Sequence, residues 1–141
     1  MTVRRGEPVL VVDSSVWIDF FRGMVDVRTD ELSRLLHSSE VRIVVPDLVL
    51  FEVLRGFRLD SEHRRARGLL EIFDIEATGG AALAVSAAEH YRALRALGRT
   101  VRGPLDALIA AHCIERGYLL LHNDRDFHAY SIHRGLRSWL H

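Results

Sequence analysis

Val9-Leu10-Val11-Val12-Asp13-Ser14-Ser15 is the stretch on which the architecture turns. Its first four residues are apolar and largely β-branched with no alternation, the pattern of a strand buried on both faces. Asp13-Ser14-Ser15 then offers a helix N-cap, and Val16 to Arg22 continues as helix until Gly23. Downstream the same alternation returns. Thr29 to about His37 predicts a helix capped by Thr29, with Leu32, Leu35 and Leu36 inward, and Val41 to Val45 a second strand. Pro46 suits the first turn of a third helix running to about Phe57. Asp60 to Phe73 predicts a charged amphipathic helix, and Asp74 to Ala77 a short strand. The capping box Ser86-Ala87-Ala88-Glu89 starts another helix that ends at Gly98. Pro104 opens the most apolar helix, Gly117 closes it, and Tyr118 to Leu121 follows as a buried strand. A polar loop spans His122 to Asp126, and the weakly patterned tail ends in a strand around Trp139. Strands alternating with helices predict an α/β domain around a mostly parallel sheet.

The 141 residues correspond to one domain, and 48% hydrophobic against 27% charged residues allows a packed core. Nineteen acidic residues balance nineteen basic ones, which excludes a bulk polyanion binder and leaves room only for a local basic patch. Every basic residue is Arg. Schiff-base chemistry, a Lys general base, a P-loop and a phosphorylated receiver domain are therefore excluded, and phosphate contacts would be guanidinium forks. The single cysteine, Cys113, lies in an apolar run and reads as a small core residue. No apolar run reaches signal-peptide or membrane-spanning length, so a soluble cytoplasmic protein is expected.

In parallel sheets, ligands sit beyond the carboxyl ends of the strands. Asp13 directly follows one predicted strand, and Asp124 follows another across His122 and Asn123. Each also has an ordinary reading, as a helix cap or an Asx turn. Glu52 interrupts a helix that is apolar nearly all round, where a carboxylate is costly unless paired; a short-range pair with Arg55 is the ordinary alternative. Asp106 stands at the third position of the Pro104 helix in apolar surroundings, where the helix dipole alone would also favour it. If these four converge, their repulsion calls for a divalent cation, and an all-oxygen donor set suits Mg²⁺ or Mn²⁺ rather than zinc.

The segments Val11 to Asp19, Asp106 to Ala111 and Leu120 to Phe127, with Glu52 in a Glu-x-x-x-Gly context ending at Gly56, resemble a PIN domain. More narrowly they resemble the VapC toxins of bacterial and archaeal toxin–antitoxin pairs. The resemblance runs from Val9 to about Phe127 and implies a single domain over residues 1–141, residues 1–8 being a short N-terminal extension. It implies a three-layer α/β/α sandwich and a Mg²⁺-dependent endoribonuclease, with Mn²⁺ as an alternative ion. Asp13 and Asp106 would be the most direct metal ligands, while Glu52 and Asp124 would hold a second ion or water. Asp126 would be an accessory acid, and the Ser14 hydroxyl would orient a carboxylate or a bound water. His122 departs from the Thr found in many relatives.

The implied reaction is metal-assisted hydrolysis of an RNA phosphodiester to a 5′-phosphate and a 3′-hydroxyl, with no His general base. His112 and His122 then read as structural histidines. Arg22, Arg102 and Arg125 lie close in sequence to Asp13, Asp106 and Asp124 and are the expected RNA-phosphate contacts. Arg64, Arg65 and Arg67 read as a solvated face, and Trp17 with Phe20 and Phe21 as core or interface. By resemblance a VapB-like antitoxin and a second copy of the chain are the protein partners. A non-catalytic PIN-like module that binds RNA or protein is the alternative. A phosphatase of the haloacid dehalogenase type is disfavoured, because Ser15 stands where its second Asp belongs.

Overall fold

The computed structural model describes residues 7–99, 101 and 103–140. Five strands form one sheet in the order β3-β2-β1-β4-β5, and all four pairings are parallel. The strands are β1 (Val9–Val12), β2 (Arg42–Pro46), β3 (Asp74–Glu76), β4 (Leu119–Leu121) and β5 (Arg137–Ser138). The helices are α1 (Ser14–Phe21), α2 (Val27–Leu36), α3 (Asp47–Leu54), α4 (Asp60–Leu70), α5 (Gly80–Ala96), α6 (Pro104–Arg116) and α7 (Arg125–His133).

Connection handedness distributes the helices. From β1 the chain steps outward to β2 and β3 through α1–α4, then crosses back to β4 and β5 through α5–α7. Parallel crossovers are right-handed, so the two directions of travel put the two helix sets on opposite faces. The result is the α/β/α sandwich expected from the sequence. β1 and β4 are neighbours where the direction reverses, with Val11 opposite Leu120 and Val12 opposite Leu121. A crevice opens at such a point, beyond the strand ends.

The unalternated apolar strands behave as their composition requires. Leu10, Val11, Val12, Val44, Val45, Leu120 and Leu121 are all fully buried, covered from both sides. Trp17 is likewise fully buried and stacks on Phe21 at 6.0 Å with Phe73 at 5.9 Å, so it belongs to the core. Cys113 is buried and unbonded, as an inert core thiol.

Several boundaries differ from the expectation. The α2 cap is Asp26, not Thr29: Asp26 accepts from the Thr29 and Arg28 amides at 2.9 Å, and the Thr29 hydroxyl accepts from the Asp26 amide. Thr29 is thus the reciprocal half of a capping box that starts earlier. Pro46 ends β2 instead of opening α3; its φ of −62° suits extended backbone as well as helix. α4 stops at Leu70, leaving Phe73 to reach Trp17. α5 begins at Gly80, six residues before Ser86, because Ala81 to Ala84 are strong helix formers. Ser86 does not cap; its hydroxyl donates to Glu115 at 2.6 Å. The tail opens in helix α7, and β5 ends one residue before Trp139, whose amide donates to the Leu120 carbonyl at 2.8 Å.

Candidate acidic metal centre

Asp13 closes β1 and caps α1. Its Oδ2 accepts from the Ser15 hydroxyl at 2.6 Å and the Ser15 amide at 3.3 Å. Its Oδ1 is buried with no hydrogen-bond partner among the described residues. Only 4% of the residue reaches solvent. Burial raises its pKa above the usual carboxylate range; the Ser15 bonds and the Ser14 amide oppose this, and Asp124 adds to it. A buried carboxylate oxygen without a donor is uncommon in a native fold and fits a position that would coordinate a cation.

The other acids arrive from separate elements. Glu52, on α3, accepts from the Ser14 hydroxyl at 3.3 Å, and burial followed by the Asp13 charge raises its pKa. Asp106 stands in the first turn of α6. Burial, then Asp13, Asp124, Glu52 and Asp126, push its carboxyl up to about 7. Asp124 caps α7, its Oδ1 accepting from the Asp126 amide at 2.9 Å. Asp13, Glu52 and Asp106 bring carboxylate oxygens within 4.8 Å of one another, and so do Asp106, Asp124 and Asp126. Asp106 is therefore the hinge between two overlapping groups of acids. Among the described residues no ion pair involves Asp13, Glu52, Asp106 or Asp124. Like charges held this close in a desolvated crevice favour either shared protons or a bound divalent cation. The donor set is oxygen only, which fits a hard ion such as Mg²⁺ or Mn²⁺.

The remaining expected residues divide. Ser14 is spent on Glu52, and it is Ser15 that grips Asp13; the Asp-Ser-Ser cap was the signal for both. Arg125 begins α7 beside Asp126 and is exposed. Arg22 lies beyond the far end of α1, nine residues from Asp13. At 1.5 Å per helical residue this places it roughly 13 Å along the axis from the acids. Proximity in sequence did not survive the helix. Arg102 lies outside the described residues. His112 bonds Glu76 at 3.0 Å, which also accepts from the Tyr118 hydroxyl at 2.8 Å, so it serves the sheet's other flank. His122 is fully buried, its Nε2 3.0 Å from the Ser138 hydroxyl and its ring 5.0 Å from Phe127.

Three features have no clear sequence signal. Arg28 reaches from α2 to donate from Nε to the His122 carbonyl at 2.8 Å, across 94 residues of chain. Gly103 lets the Asp106 side chain fold against the backbone; a Cβ there would lie 2.7 Å from Oδ2. Tyr130 is fully buried, its hydroxyl has no partner among the described residues, and burial with Asp106 and Asp126 nearby raises it to about 12.

The switch point of a parallel sheet thus gathers acids from β1, α3, α6 and the β4–α7 junction. The PIN domain family model matches residues 10–132, and the chain belongs to that family. The VapC ribonuclease Mb1587 of Mycobacterium bovis is 33% identical over 119 residues, covering 84% of this chain and 89% of the relative. Ribonuclease VapC11 of Mycobacterium tuberculosis matches to the same extent. Among solved structures, VapBC2 of Rickettsia felis bound to a promoter DNA fragment shares the fold with a TM-score of 0.73 at 18% identity, covering 93% of this chain and 97% of that one. VapC20 of Mycobacterium tuberculosis, a sarcin-ricin-loop-cleaving toxin, has a TM-score of 0.62 at 21% identity, covering 85% and 93%. The chain is thus a nuclease of the VapC ribonuclease group. Among the described residues, no helix is long and apolar enough to cross a membrane.

Proposed function

We propose that the protein is a Mg²⁺-dependent endoribonuclease, able to use Mn²⁺, and the toxin half of a VapBC-type pair. The observation that carries this reading is the buried, undonated Oδ1 of Asp13 facing a convergence of acids. Asp13, Glu52, Asp106 and Asp124 would hold the ion or ions, with Asp126 as an accessory acid. When bound, such an ion polarises a phosphoryl oxygen and makes water a nucleophile near neutral pH. The chain's own contribution is placement. Ser15 holds one oxygen of Asp13, leaving the other free; Ser14 orients Glu52; and the helix cap fixes one oxygen of Asp124. His112 is bonded to Glu76, while the His122 Nε2 lies 3.0 Å from the Ser138 hydroxyl and its Nδ1 accepts from the Asp124 amide at 3.4 Å.

RNA is the substrate in this reading, and a VapB-like antitoxin is the partner that restrains the enzyme, supported by the VapBC complexes among the structural neighbours. Homodimerisation, a single domain over residues 1–141 and action in the cytoplasm complete the reading and rest on the family resemblance. The test is cleavage of a mixed RNA pool by the purified chain with Mg²⁺, with Mn²⁺ and with EDTA, beside Asp106→Asn. Cutting that needs the ion and is lost in the variant supports the reading. A folded, antitoxin-free protein that cuts nothing, or an Asp106→Asn variant that cuts as well, refutes it.

A further inference from the structure

Arg28 stands half-buried in the first turn of α2 and reaches from that helix to the end of β4. Its Nε donates to the His122 carbonyl at 2.8 Å, while its two Nη atoms have no hydrogen-bond or ion-pair partner among the described residues. Asp26 turns its carboxylate to the Arg28 and Thr29 amides at 2.9 Å and makes no ion pair with the guanidinium. Arg34, Arg42 and Arg67, by contrast, spend their charge on Glu31 and Glu40, on Asp74 and on Glu71. Arg28 is tied to a neutral carbonyl and keeps its charge. His122 follows β4 directly, and Asp13 follows β1 at the same edge, its amide donating to the Leu121 carbonyl at 2.9 Å. Asp124 lies two residues beyond His122, a span of at most about 7 Å. The guanidinium therefore stands at the sheet edge that carries the acids.

We propose that Arg28 is a phosphate-binding residue that holds the RNA backbone beside the acidic centre. The inference rests on the nuclease reading and deepens it. It gives to α2 the role that proximity in sequence had given to Arg22. A guanidinium held through Nε still presents Nη1 and Nη2 as a parallel fork, the geometry that takes two phosphate oxygens. The capping box fixes the Arg28 backbone and the carbonyl fixes its side chain, so little rotamer freedom is left to lose on binding. A crevice rich in carboxylates repels RNA, and a cation that no acid neutralises offsets that repulsion next to it. Phosphate contacts carry no sequence information, so Arg28 sets where the backbone lies and not which bases are cut.

Binding without cutting gives the test. An Asp106→Asn chain in EDTA is titrated by fluorescence anisotropy against a labelled single-stranded RNA pool of randomised sequence, over a series of KCl concentrations. Arg28→Gln and Arg28→Lys are added separately, with Arg67→Gln as the distant control, and thermal melting verifies that each fold persists. Glutamine retains a donor for the His122 carbonyl but carries no charge. The slope of log affinity against log salt is expected to flatten by about 0.7 in Arg28→Gln, the value of one phosphate contact on a single strand. The accompanying loss of affinity, about fivefold at low salt, disappears as salt rises tenfold. Arg28→Lys and Arg67→Gln are expected to keep the full slope. An unchanged slope in Arg28→Gln, an equal fall in Arg28→Lys or Arg67→Gln, or no RNA binding by the Asp106→Asn chain overturns the proposal. Failure of the nuclease reading registers separately, as absence of metal-dependent cutting by the unsubstituted chain.

Discussion

Asp13 and Asp106 are the residues whose chemistry departs furthest from that of a surface carboxylate. Asparagine at position 13 can still accept the Ser15 hydrogen bonds but removes the buried charge. Asp13→Asn is therefore expected to reduce cleavage by at least about a hundredfold, since losing even an indirect metal partner costs 10–100-fold. Its melting temperature in EDTA should be equal to or above that of the parent, because a desolvated charge is gone. Parallel cleavage and melting assays check both halves. Asp106 makes a pH prediction. Burial and the neighbouring acids raise it from 3.8 to about 7, so between these values the metal-free folded chain keeps a proton that the unfolded chain has lost. Its contribution is complete below pH 3.8 and disappears as pH climbs through about 7. The melting temperature in EDTA should fall across that window, and Asp106→Asn should flatten the fall. A profile that the substitution leaves untouched would contradict the convergence of acids at this residue.

Helix ends explain which elements can be foreseen. α6 carries its own punctuation: Pro104 at the first turn and Gly117 at the C-cap in the left-handed region, φ 68°. Its boundaries are accordingly those expected from the sequence. Gly117→Ala should destabilise the fold by about 1 kcal/mol through the left-handed backbone alone, measurable by urea unfolding. α2 and α5 begin earlier than their most familiar signals. Asp26 and Thr29 are both N-cap residue types, but only Asp26 has a polar side chain at N3, Thr29, to complete the box; alanines extend α5 backwards past Ser86 because no side chain there opposes helix. Asp26 is the decisive cap, its carboxyl held below the usual range chiefly by the Thr29 amide. Asp26→Ala should cost about 1 kcal/mol, whereas a substitution of Ser86 should leave the start of α5 in place.

At the scale of the whole molecule, the site exists because the sheet reverses direction between β1 and β4, bringing chain segments from both helix layers to one crevice. Arg28 ties these halves together by bonding the carbonyl that precedes the Asp124 loop. Arg28→Ala is expected to lower turnover several-fold more than it lowers stability, because the core beneath it is untouched; cleavage rates set against melting temperatures decide this. Divalent ions should act in the opposite sense. Millimolar Mg²⁺ or Mn²⁺ is expected to raise the melting temperature of the parent chain and not of Asp106→Asn, through binding to the native state alone.

The unalternated strands, the Pro104–Gly117 helix and the order of the four acids were legible along the chain. Burial on both faces, helix punctuation and charge in apolar surroundings are local properties that composition must obey. Folding added everything that depends on distance between remote segments. It drew Asp13, Glu52 and Asp106 within 4.8 Å, gave Asp13 to Ser15 and Glu52 to Ser14, and carried Arg22 to the other end of α1. It also placed Arg28 against the His122 carbonyl. Neighbours across 38 or 94 residues are set by packing of the two layers on the sheet, and no local pattern encodes them.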